Sequence, residues 1–127
     1  MKKTLCILLF ISIFIFSGCT NKDIIFTGES KHWQGNYSVS ISDKSEYGKY
    51  TLHYKNGDKN TKFQTLEINI KDGKAVKHED NYDGPTIEIP YSCDGCSVTS
   101  KDEPIKVNIK WDHSNEETLY LKLYKWF

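Results

Sequence analysis

With 127 residues, the chain suits one domain large enough to bury its own core. Its 17 basic residues are all Lys and are matched by 17 Asp plus Glu. That lacks the clustered basic excess of a nucleic-acid binder, and without Arg there is no bidentate fork for phosphate, so no nucleic acid is expected as a partner.

Residues 1–18 divide into a positive start, Lys2 and Lys3, an apolar run from Leu5 to Phe16, and small residues at Ser17-Gly18. A helix needs about 20 apolar residues to cross a bilayer, so this run reads as a leader and not as a span. Phe16-Ser17-Gly18-Cys19 resembles the processing site of a bacterial lipoprotein, with Phe16 where an aliphatic residue is usual. The resemblance implies cleavage after Gly18 and a diacylglyceryl group on the Cys19 thiol. Two acyl chains hold a protein durably, whereas one binds marginally. The expected mature chain, 19–127, carries 15 Lys against 17 acidic residues, a net charge near −2. Its expected place is the extracytoplasmic face of the cell membrane, held there by the lipid on Cys19.

Residues 19–32 read as the lipidated Cys and a polar tether, interrupted by Ile24-Ile25-Phe26, a candidate short first strand. Residues 33–127 form the expected domain. Trp33, Tyr37, Val39 and Ile41 alternate with polar residues, the period of a half-buried strand. Tyr50, Leu52 and Tyr54 repeat it, followed by a turn from Asn56-Gly57, and Leu66, Ile68 and Ile70 repeat it again. Asp72-Gly73 predicts a tight type I′ hairpin returning 74–79 onto 63–71. A polar loop is expected over 80–85, then a short strand around Ile87 and Ile89. Asp94-Gly95 predicts a second hairpin turn. Ile105, Val107, Ile109 and Trp111 mark the penultimate strand, and Leu119, Leu121 and Leu123 the last. No helical stripe follows the leader. The pattern predicts an all-β fold, a single antiparallel β-sandwich of about seven strands, with a small β-barrel as the alternative.

Gly28-Glu29-Ser30, Trp33, Tyr37, Trp111 and Glu117-Thr118-Leu119 resemble small extracellular lipoproteins of bacilli and related Gram-positive bacteria. These share a Gly-Glu-Ser segment, then a Trp, and a closing Trp followed by a Glu-Thr strand. The resemblance implies an immunoglobulin-like sandwich outside the cell and brings no activity or site residues with it. Cys93 and Cys96 lie outside the resemblance.

Cys93-Asp94-Gly95-Cys96 has the spacing of a redox pair, but strands flank it, so no helix N-terminus lowers a thiol pKa. Facing each other across a hairpin, the two sulfurs are close enough for a disulfide, which an extracytoplasmic location favours. Disulfide, redox pair and half of a metal site all remain open. His32, His53, His78 and His113 lack zinc-ligand spacing. Glu79, Asn81, Asp83 and Gly84 echo a calcium loop, but its twelfth position is Pro90, so a polar turn is expected. No nucleophile elbow or phosphate loop is present, so no catalytic residue, metal or cofactor is assigned. Tyr120, Tyr124 and Trp126 share the polar face of the last strand, either as a binding patch or as cross-strand support. The expected function is therefore a non-enzymatic module that binds an envelope protein or polymer. The alternatives are a thiol–disulfide protein using Cys93 and Cys96, and a β-domain holding a small ligand.

Overall fold

The computed structural model describes residues 23–126, excluding the side chains of 125 and 126. Cys19 and the leader lie outside the described residues. The chain forms eight strands: β1 (Asp23–Glu29), β2 (Trp33–Ser42), β3 (Ser45–Tyr54), β4 (Lys62–Ile70), β5 (Ala75–Asp83), β6 (Thr86–Asp94), β7 (Ile105–Trp111) and β8 (Asn115–Trp126). All pairings are antiparallel, in one sheet ordered β5-β4-β7-β8-β1-β2-β3-β6. The sheet curls until it is nearly closed into a barrel. Of the two expected architectures, the continuous sheet corresponds to the barrel alternative, with eight strands in place of about seven.

Alternation produces the interior. Phe26, Trp33, Tyr37, Tyr50, Leu52, Leu66, Ile68, Ile70, Ile105, Ile109, Leu119 and Leu121 are all buried, and their strand neighbours are mostly exposed. Every second side chain of a pleated strand points the same way, so each strand contributes one apolar face. The ladders also define two ends. The lower rim collects Asp23, the β2–β3 turn, the β4–β5 turn, the end of β6 and the start of β7. The upper rim collects Glu29 to Trp33, the β3–β4 connection and the β7–β8 turn.

Four expectations need correction. The tether does not extend to residue 32, because Asp23–Glu29 is an interior strand between β2 and β8, with Phe26 fully buried. The loop expected over 80–85 is strand as far as Asp83: β5 pairs with β4 from Ala75 to Asp83, and its polar side chains suit a sheet edge. The Asp72-Gly73 hairpin forms, with positive φ at both residues, but Lys71 is left-handed too and the loop runs over 71–74. Asp94-Gly95 makes no hairpin, since β7 begins only at Ile105.

β8 spans the joint between the two halves of the sheet. It pairs with β7 over Asn115–Leu121 and with β1 over Lys122–Trp126. Gly28 makes the crossing possible, because a Cβ there would lie 2.0 Å from the Tyr120 carbonyl oxygen. At Gly35 a Cβ would meet only side-chain ends, the nearest being Leu52 Cδ2 at 2.8 Å. Gly28→Ala is therefore expected to destabilise the fold by at least about 2 kcal/mol, since backbone must move, and Gly35→Ala by less. Urea denaturation midpoints check the order of the two.

Candidate functional site

The lower rim holds a buried carboxylate. Glu46 on β3 is 1% exposed and lies inside the barrel mouth. Its Oε2 accepts from the Tyr37 hydroxyl at 2.5 Å and the Thr99 hydroxyl at 2.7 Å, and its Oε1 accepts from the Thr99 backbone N–H at 2.7 Å. Lys71 Nζ in turn donates to the Thr99 hydroxyl. Burial alone would raise the Glu46 carboxyl, but hydrogen bonds from Tyr37 and Thr99 and the charge of Lys71 hold it below the usual carboxylate range. Burial, with Glu46 adding to it, pushes the Tyr37 and Tyr50 phenols up. Their rings stack at 3.8 Å and 5°. Desolvation lowers the Lys71 ammonium against the pull of Glu46.

This network fastens the 95–104 connection over the barrel mouth. Outside it opens a cavity of about 440 Å³ lined by Lys71, Lys74, Thr99, Glu103 and Lys106. A second cavity, about 340 Å³, shares Asp72 and Lys106 and continues along the outer sheet face past Asn69, Asn108, Glu116 and Thr118. Asn108 Nδ2 donates to Glu116 Oε1 at 3.1 Å and to Thr118 Oγ1 at 3.0 Å.

Cys93 and Cys96 form a disulfide with a Cα–Cα distance of 6.1 Å. They do not face each other across two strands as expected. The bond closes a local loop where β6 ends, and the Lys44 carbonyl accepts from Gly95 N at 2.6 Å and Cys96 N at 3.2 Å. The beginning of the 95–104 connection is thus tied to the β2–β3 turn.

At the upper rim, Glu117 is held by Ser30 and His32. Ser30 Oγ donates to Oε1 at 2.6 Å, His32 N donates to Oε1 at 2.9 Å, and the His32 ring contacts Oε2 through Nδ1. These contacts outweigh the desolvation of the Glu117 carboxyl and hold it below its ordinary value. The His32 ring lies 6.0 Å from Trp111 and 6.2 Å from Tyr54, and Trp33 packs on Trp111 at 5.7 Å. Ser30 bonds the carboxylate and not the imidazole, so the trio lacks the nucleophile-to-base contact of a catalytic triad.

On β8, Tyr120 is 50% and Tyr124 72% exposed. The expected row with Trp126 is interrupted. Ile25 pairs with Lys125 and Phe26 with Leu123, so the ladder skips Tyr124. Trp126 consequently falls in register with Ile24, a core residue, and its side chain lies outside the described residues.

His53 bonds Thr86, and His78 lies 3.2 Å from Asp80. Glu79, Asn81 and Asp83 lie within β5 and not in the expected polar turn, and Asn81 has φ 52°. Among the described residues no group of three or more His, Cys, Asp or Glu is placed to hold a metal ion. The carboxylate clusters of Glu46 and Glu117 were not read from the sequence. A signal for the first was present, since Glu46 shares the parity of Tyr50, Leu52 and Tyr54. No protein family, curated protein or solved structure matches the chain.

Glu46→Ala, which strands the Tyr37 hydroxyl and the Thr99 N–H, is expected to cost about 2–4 kcal/mol in thermal or urea unfolding. Both depressed carboxyls contribute stability that is present above the unfolded-state pKa, about 4.3, and lost as pH falls through the folded value. Stability should therefore fall in acid below about pH 4, and Glu46→Gln should flatten that limb.

Proposed function

We propose that this protein is a lipid-anchored, non-enzymatic domain on the extracytoplasmic membrane face that binds an envelope protein or polymer. The leader and Cys19 support the location. The observation that carries the binding role is the half-exposed Tyr120, in register with Lys106, which lines both polar cavities. A tyrosine offers a rigid apolar ring and a polar tip beside amide, carboxylate and ammonium groups, a combination typical of interaction surfaces. The resemblance to small lipoproteins of bacilli agrees with this reading. The Cys93–Cys96 disulfide fits a staple for the 95–104 connection, since no helix N-terminus adjoins it to activate a thiol. A small apolar ligand is less well supported, because the aromatic interior is packed on itself and both cavities are polar.

Mass spectrometry of the native N-terminus is expected to show Cys19 bearing a diacylglyceryl group, and Cys19→Ser should move the protein from the membrane fraction to the medium. On the released form, Tyr120→Ala should weaken retention on envelope material about tenfold, close to 1.4 kcal/mol, with an unchanged circular dichroism spectrum. Equal retention of the two forms would count against the binding role.

A further inference from the structure

Strand β1 begins at the lower rim with Asp23 opposite Ser40 and Ile24 opposite Trp126. Only Thr20, Asn21 and Lys22 separate Cys19 from Asp23. A chain advances at most about 3.6 Å per residue, so the four steps from Cys19 to Asp23 span no more than about 14 Å. β2 and β3 are 10 residues each, so the upper rim stands roughly 30 Å further along the strands, beyond the reach of so short a connection. Resting on the reading of Cys19 as lipidated, we infer that the side of the lower rim formed by Asp23, the β2–β3 turn and the end of β8 lies against the surface of the anchoring bilayer, while the Lys106 cavities open on the other half of the sheet.

The side chains beside the attachment point suit that surface. Leu123 is 38% and Tyr124 72% exposed, on β8 next to the residues that pair with the start of β1, with Leu123 opposite Phe26. The skipped register, between Ile25 and Phe26, releases Tyr124 from the ladder. Tyrosine rings settle at headgroup level, and long Lys side chains keep their charge in water while their stems cover apolar surface. Lys44, in the β2–β3 turn at this rim, is exposed. The occupant of this side of the rim is therefore the headgroup layer. Orientation follows from it: the Ser30–His32–Glu117 cluster faces away from the membrane.

The three tryptophans test this. Trp33 and Trp111 belong to the upper rim and Trp126 to the lower. The processed, lipidated protein is placed in phosphatidylcholine vesicles with brominated acyl chains, after mass spectrometry has established the state of Cys19. The expected result is loss of the Trp126 emission, with Trp126→Phe leaving a signal insensitive to bromine. Leu123→Ser with Tyr124→Ser, keeping Trp126, should reduce the quenching. A protein shown to be lipidated whose emission ignores bromine, with or without Trp126, overturns the orientation and leaves the anchor standing. A rim shielded from aqueous iodide yet insensitive to bromine overturns it in favour of a protein partner. A Cys19 without lipid overturns the anchor and this inference with it.

Discussion

The architecture depends on a close approach of two backbones. β8 serves β7 along its first half and β1 along its second, and so joins the two halves of the sheet. With Gly28 at the crossing, the Tyr120 carbonyl can sit where any side chain would have been. Once β1 and β8 are joined, the β1-β2-β3-β6 half and the β5-β4-β7 half face each other, and their apolar faces have only one another to bury against. Burial of the Phe26, Trp33, Tyr37 and Tyr50 rings follows from that geometry more than from strand propensity.

The lower mouth of such a barrel would admit water if it were lined only by apolar groups of unequal length. Glu46 solves this at a cost. A carboxylate taken out of water is expensive unless its oxygens are matched, and here both are. The match recruits Thr99 from a connection with no regular structure, which makes the order of the 95–104 segment conditional on a charge inside β3. The disulfide and the Lys44 carbonyl hold the other end of the same segment. The upper rim uses the same device in milder form, with Glu117 joining β8 to the β1–β2 turn.

Strand periodicity made most of this legible. β2, β4, β7 and the first half of β8 follow from alternation, because each has one wet and one dry face. β1 was legible only in part: Ile24-Ile25-Phe26 read as a short strand within a tether, and nothing local reveals that it runs over Asp23–Glu29 with both its edges paired. The polar end of β5 read as a loop because an edge strand can be polar on both faces and still keep its backbone partners. Asp94-Gly95 has turn chemistry, but the chain beyond it is tied to the Lys44 carbonyl and, through Thr99, to Glu46, and so crosses the barrel mouth instead of returning along β6. The row on β8 failed at Tyr124, because a bulge shifts parity without leaving a mark in the residue types. Glu46 was readable in part: its parity points inward, but its partner Thr99 lies 53 residues away.

The sheet order leaves β5 and β6 as its two free margins, joined through Gly84-Pro85, with no ladder between them among the described pairings. Unpaired margins are templates for strand addition. Both margins are blunted. β6 carries Pro90, which has no N–H to offer an incoming strand. β5 presents Lys77 with Glu79, an ion pair, and His78 with Asp80, polar groups that an added strand would have to desolvate. The gap in the barrel is therefore guarded against templating the addition of a second copy of this chain.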